Sequence, residues 1–401
     1  MLELEQALAT ILASVPAPKS ELVSLAAAHR RVMAEKILMQ TDLPPFDNSS
    51  MDGYAVRARD ISSASPQNPI SLALAGKIAT GETFHGEISA GQCIRIFTGS
   101  ILPSGADAVV MQEDTQLEAT RPREVLFLDA IKPWENIRFH GEDVKRGAAI
   151  AAAGEILGAA QMALLAGGGV TEVKVGRRPT VTLLATGSEL KEAGSALAPG
   201  QIYESNRAAL APLIALAGGV PKIFPIIPDS TEATRAALSR ASSECDVVIT
   251  CGGVSVGEMD FVKSAFEEQG GQLQFWKVAI KPGKPFVFGR HGEKLLFGLP
   301  GNPVSAFVTF LLLARPALLR WQGAARVDLS ASSGVLTEPF SNPDKRRHFM
   351  RVAVDEKGGV RSAGTQASHV LSSLALANGL VDVPPETTLS AGMTVQVLRW
   401  E

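Results

Sequence analysis

Leu4, Leu8, Ile11 and Leu12 recur at helical spacing and Ala26–Met39 carries no breaker, so residues 1–43 read as helical. The texture changes at Pro44. From there to about Asn136, short apolar runs such as ISLALAG, QCIRIFTG, ADAVVMQ and EVLFLDA are divided by Gly, Pro and Ser, which predicts a mainly β unit. Gly158–Gly169, GAAQMALLAGGG, reads as a helix with a glycine stop. From Arg177 to Gly323 the rhythm is strand, loop, helix, repeated. The apolar strands TVTLLATG, KIFPIIP, DVVITCGG and KLLFGLPGNP alternate with the helical stretches NRAALAPLIALAGG, DSTEATRAALSRASSE, FVKSAFEEQGG and one that starts near Val304. Strands apolar along their whole length, alternating with helices, predict an α/β domain with a parallel sheet covered on both faces. Beyond Arg326, VLTEPF, HFMRVAV and MTVQVLRW predict a small C-terminal β domain. No internal repeat or low-complexity segment interrupts this order.

Composition narrows the picture. A chain of 401 residues is too long for one hydrophobic core, so two to four domains are expected. At 46% hydrophobic and 20% charged, the chain has globular rather than disordered composition. A net charge of -3 argues against a general nucleic-acid or membrane-surface binder. Cys93, Cys245 and Cys251 are odd in number and form no CxxC pair, which predicts reduced thiols rather than a disulfide framework or a zinc site. The start, MLELEQALATIL, has acids where a signal peptide needs positive charge. The most apolar run, AFVTFLLLA from Ala306, is closed by Arg315 and Pro316, far short of a membrane span. The expectation is a cytoplasmic protein with no nucleic-acid or membrane partner.

The unusual residues collect where ligands bind in open α/β sheets, beyond the carboxyl ends of the strands. One strand is followed by Thr186-Gly187-Ser188-Glu189-Leu190, the next by Pro228-Asp229-Ser230. The third gives Gly252, Gly253 and Ser255 and runs on to Asp260. Lys277, KPGKP (Lys281 to Pro285, with Lys284) and GLPGNP (Gly298 to Pro303, with Pro300 and Asn302) follow. Glycines let a ligand approach the backbone, and free N–H groups at loops and helix starts attract anions. Lysines for an oxyanion beside Glu189, Asp229 and Asp260 for a hard cation such as Mg²⁺ make a site for a nucleotide-like anionic ligand. Each residue also has a plainer reading. Asp229 with Glu232 fits a capping box. Glu189 and Asp260 read alone as loop acids, and the lysines as a solvated hairpin tip, although Pro282 and Pro285 fix a spacing that such a tip does not need. No GxxxxGK or GxGxxG fingerprint is present. The conjunction at one rim favours a site.

TGSEL, GGVSVGEMD, KPGKP, GLPGNPVSA and FDNSSMDGYA together resemble the MoeA-type molybdopterin molybdenumtransferase family, related to the gephyrin E-domain, over essentially the whole chain. The resemblance implies four domains: a split helical domain (1–43 plus 140–176), an inserted β domain (44–139), an α/β molybdopterin- and nucleotide-binding domain (177–323) and a C-terminal β-barrel-like domain (324–401). It implies Mg²⁺-dependent insertion of molybdate into adenylylated molybdopterin, giving molybdenum cofactor and AMP. Glu189, Asp229 and Asp260 match acids for the nucleotide end and its metal, and Lys277, Lys281 and Lys284 gather molybdate and phosphate charge. Arg351 and Ser368 match residues associated with substrate or molybdate, though Arg351 alone reads as a surface arginine and Ser368 as a turn residue. The resemblance implies a homodimer with composite sites, in which Asp52 and Thr98 reach the α/β-domain site of the other subunit. Alone, Asp52 reads as a tight-turn acid before Gly53.

Asp143 resembles a further family acid, with RFH only partly matching the basic run before it. Ser188 stands where many members carry Asp, and Ala367 replaces a common glycine before Ser368. The resemblance admits the molybdopterin adenylyltransferase and molybdoenzyme maturation factors as partners. Three alternatives share parts of this pattern: the adenylyltransferase itself, a competence-protein-type nucleotide hydrolase, and a gephyrin-like scaffold without catalysis. Gly252-Gly253-Val254-Ser255 in place of Gly-Gly-Thr-Gly argues against the first, NSSMDGYA against the second, and the retained lysines and acids against the third.

Overall fold

The structure, a computed structural model, describes residues 1–118, 120–253 and 261–400. These divide into two compact units, one of Met1–Glu35, Ala152–Gly158 and Val173–Glu401, the other of Lys36–Ala151 and Ala159–Glu172.

The second unit is built on a six-stranded sheet in the order Ala108–Met111, Gly53–Val56, Gln92–Ile96, Ile70–Ile78, Glu124–Phe127, Thr115–Leu117. Successive side chains on a strand point to opposite faces, and here both faces are covered. Tyr54, Val56 and Val110 join one core, Ala55 and Val109 the other. The GAAQMALLAGGG stretch forms the helix Ala159–Gly167.

The first unit centres on a six-stranded sheet in the order Val220–Ile223, Thr180–Ala185, Val247–Cys251, Lys294–Leu299, Val287–His291, Gln272–Trp276. The first four strands are parallel. The inner three are buried along nearly their whole length, as their apolar sequences predict, whereas the edge strand is Val220–Ile223, VPKI, largely exposed, and only the start of KIFPIIP belongs to it. Val181, Leu183, Val247 and Ile249 pack on one face, Leu184 and Val248 on the other. The last two strands extend it antiparallel through a hairpin at Gly292, a pairing that apolar periodicity does not reveal.

Two expectations are corrected. Residues 1–43 hold one α-helix, Leu4–Ser14, which buries Leu4, Ala7 and Ile11 against the α/β core, and a single 3-10 turn at Leu25–Ala27. Ala26–Met39 instead pairs as β-bridges, Val32 with Ile156 and Met33 with Val175, after Arg30 turns the backbone to φ 58. Tertiary hydrogen bonding overrides local propensity there. Nor does Pro316 close the AFVTFLLLA run. A continuous helix spans Pro303–Trp321, 19 residues, widened to a π-helix over Phe310–Ala314 just before Pro316. Proline lacks an N–H, and it enters here where the helix restarts. By length and composition this helix is apolar enough to cross a membrane, but 83% of its apolar window is buried in the protein.

At the C-terminus, five strands close on one another: Arg347–Val354, Gly359–Ser362, Ser330–Leu336, Thr394–Arg399 and Gly379–Val383. The pairing of the last with the first completes the ring. Ile280–Lys281 joins its edge beside Arg347 and His348. The three cysteines are buried and unpaired, and burial pushes the Cys93 thiol up to about 12.

Candidate functional site

The four parallel strands end in loops tied side by side through the backbone. Thr186 N–H donates to Cys251 O (3.1 Å), Gly187 N–H to Ile227 O (3.2 Å) and Gly252 N–H to Leu299 O (3.2 Å). Gly252 has φ 90, and a Cβ there would lie 2.7 Å from Thr186 O, so only glycine lets these loops approach. The loops line a cleft of about 690 Å³ with Glu189, Asp229, Gly252, Gly253, Pro300 and Asn302 at its wall. These six expected site residues are brought together.

Ser188 and Asp229 form a reciprocal pair at the rim. Ser188 N–H donates to Asp229 Oδ2 at 3.0 Å, and Asp229 N–H donates to Ser188 Oγ at 3.1 Å. An aspartate at 188 would face a second carboxylate, so serine suits this geometry. The capping-box reading of Asp229 fails, because Ser230 caps the helix Thr231–Glu244 by accepting from Ala233 N–H. Asp229 Oδ1 and both Glu189 carboxylate oxygens accept no hydrogen bond among the described residues.

Sequence reasoning overlooked the floor. Glu204, next to the cleft residues Tyr203 and Asn206, is 3% exposed at its side chain and binds Arg207 Nε at 2.8 Å. Arg207 also binds Glu192 (2.8 Å) and Phe224 O (2.6 Å). Burial opposes the Arg207 charge, but its two carboxylates outweigh it and raise the pKa. The signal was the lone arginine in the apolar start of NRAALAPLIAL.

The C-terminal side reaches the cleft through one loop. Asn302 Nδ2 donates to Ser368 Oγ (3.0 Å) and Val304 N–H to Ser368 O (3.2 Å), with His369 and Leu371 on the cleft wall. Arg351 is no surface arginine. It is fully buried, and its Nε donates to Ser373 Oγ (2.9 Å) and its Nη2 to Thr365 O (2.9 Å) and Ala367 O (3.2 Å). Nη1 has no hydrogen-bond partner among the described residues, and burial pulls the Arg351 pKa down to about 10. Arg351 therefore holds the loop that carries Ser368, which is more than a turn residue.

The lysines are not on this wall. Lys277, at φ 81, holds Nζ 5.3 Å from the Trp276 ring centroid. Lys281 Nζ lies 3.9 Å from Asp344 Oδ2, and Lys284 is exposed. Beside Lys281, His348 is 3% exposed, and burial, then Lys281 and Arg351, lower its pKa to about 4. Ser255 and Asp260 lie outside the described residues. Among the described residues no three metal-binding side chains converge.

In the other unit, Asp52 Oδ1 accepts from Thr98 N–H (2.8 Å) and Thr98 Oγ1 (2.9 Å). These donors, backbone first, and then Arg95 hold the carboxyl below its ordinary pKa. Asp52 thus clamps a distant loop rather than a local turn. Arg95 lies over the Tyr54 and Phe97 rings, with centroids 5.0 and 5.1 Å away. Asp143 lies on an exposed bend of this unit, its N–H donating to Leu43 O at 3.0 Å.

Three families match the chain in order. They are the MoeA N-terminal region (domain I and II) at residues 2–169, a probable molybdopterin binding domain at 182–320 and the MoeA C-terminal region (domain IV) at 333–400. The chain is 39% identical to the molybdopterin molybdenumtransferase of Haemophilus influenzae, covering 99% of this chain and 98% of that protein. It is 35% identical to that of Bacillus subtilis, over 95% and 90% respectively. It is also similar to the solved molybdopterin biosynthesis MoeA protein of Pyrococcus horikoshii, with TM-score 0.82, 32% identity and 100% of both chains covered.

Proposed function

The chain belongs to the MoeA family of molybdopterin molybdenumtransferases, and from that premise we propose that it inserts molybdate into adenylylated molybdopterin and releases AMP. One observation carries the assignment of the reaction to the cleft: the Glu189 and Asp229 carboxylates line one cavity of about 690 Å³, and among the described residues no cation pairs with them. Hard carboxylate oxygens with open coordination fit Mg²⁺. Glu189 and Asp229 would hold it, and Asp260, which follows Gly252 and Gly253 in the sequence, would join them. When bound, Mg²⁺ neutralises charge on the phosphate oxygens.

The chain's own groups do the rest. The Ser188–Asp229 pair fixes the direction of one carboxylate. The Gly252 turn opens the backbone to the nucleotide end, and Asn302 ties the C-terminal loop across the opening. Lys277, Lys281 and Lys284 gather molybdate, a dianion, from outside the wall. Asp52 and Thr98 complete the site of the other subunit in a homodimer, where a carboxylate already oriented by two donors loses nothing to reorganisation. The setting is the cytoplasm.

The test uses the purified protein with adenylylated molybdopterin. AMP release is expected only when molybdate and a divalent cation are both present. Release without molybdate would make the protein a hydrolase. ATP consumption with free molybdopterin would make it an adenylyltransferase, and neither activity would leave a scaffold.

A further inference from the structure

The charge on the cleft wall does not match an anionic ligand. The ionisable side chains lining it among the described residues are Glu189, Tyr203, Glu204, Asp229, Cys251 and His369. Glu204 is occupied by Arg207, and burial raises the Cys251 thiol far out of play. Lys277, Lys281 and Lys284 do not line it, and the neighbouring segment Val254–Asp260 contains no basic residue. Two open carboxylates therefore share the cleft wall with one imidazole. His369 is exposed on the cleft and makes no hydrogen bond with another described residue. Its position is nevertheless set by its neighbours: Ser368 is bonded to Asn302 and Val304, and Arg351 holds Ala367 from behind. A ring with an unused N–H donor, carried on a pinned loop, is placed to bind what the carboxylates repel.

We infer that His369 contacts a tetrahedral oxyanion in the cleft, either the phosphate of the nucleotide end or molybdate. The Asn302–Ser368 latch and Arg351 act as positioning groups for that contact. This inference rests on the reading of the cleft as the nucleotide end of the site.

The experiment measures binding of AMP, adenosine and molybdate, each alone with MgCl₂, to the full-length wild type and to His369→Ala and His369→Gln. Calorimetry serves for the anions and NMR titration for adenosine. His369→Ala is expected to weaken AMP or molybdate about tenfold, the scale of one hydrogen bond to a charged group, and to leave adenosine unchanged. His369→Gln, which keeps a donor, should recover part of the loss. A loss confined to AMP identifies the phosphate, and one confined to molybdate identifies the metal oxyanion. Unchanged anion binding in both variants overturns the inference while leaving the cleft assignment intact, and an equal loss for adenosine assigns His369 a structural role instead. A wild type that binds neither AMP nor molybdate overturns the cleft assignment and the inference together.

Discussion

The cleft and the Asp52 ledge both present carboxylates, but in opposite states. Glu189 and one oxygen of Asp229 face open space on loops held at their backbones. Asp52 already accepts two hydrogen bonds from Thr98 on a six-stranded sheet, beside an arginine stacked on two rings. An unclaimed carboxylate is a place for a cation to arrive, whereas one that is already bonded keeps its charge and direction. On the function proposed above, this difference suits the cleft to binding and Asp52 to orientation.

The comparison breaks first at Asp229. Asp229→Ala should lower molybdate-dependent AMP release by about 10²–10³-fold, as for other preorganised electrostatic groups in enclosed sites. Part of that loss should return at high Mg²⁺. Near-normal turnover at limiting Mg²⁺ would leave the cleft acids as surface residues.

The ledge should break structurally at Gly53. A Cβ there would sit 1.8 Å from Val110 O, inside the pairing of Gly53–Val56 with Ala108–Met111. Gly53→Ala should cost roughly 3 kcal/mol or more, because a backbone atom rather than a side chain must move. Thermal unfolding would show the loss, and AMP binding in the cleft should persist below the transition. An unchanged melting temperature would mean that the strands separate freely here.

The smallest effect sharpens the contrast through pH. Asp52 is depressed, so its ionised form is fully present above the ordinary aspartate value and is lost as pH falls through the lower folded value. Thr98→Val removes one of the two donors and keeps the backbone N–H. The acid limb of the activity profile should therefore move to higher pH. A limb that stays in place or moves down would show that Asp52 ionisation does not govern it.

The sequence made these regions legible unequally. Unbroken apolar strands and glycine-rich ends marked the parallel sheet, and those ends did converge on Glu189, Asp229 and Asn302. The antiparallel extension was hidden, because Gln272–Trp276 and Val287–His291 carry no distinctive period. Ala26–Met39 misled because its backbone partners lie more than a hundred residues away, at Glu155, Leu157 and Lys174. Asp229's freedom from capping depended on a neighbouring serine, and Arg351's burial on a barrel closed by distant strands. His369 gave no signal beyond being one histidine among six.

Whether the ledge serves the other subunit's cleft is the claim that binds the account together. Mixing inactive Asp52→Ala and Asp229→Ala homodimers under conditions that exchange subunits tests it directly. In a mixed dimer one composite site then has both residues intact and the other has neither. Random exchange makes half of the dimers mixed, so about a quarter of wild-type AMP release should return, since two-fold symmetry makes the sites equivalent. Demonstrated exchange with no recovered activity would contradict the account and confine Asp52 to its own subunit.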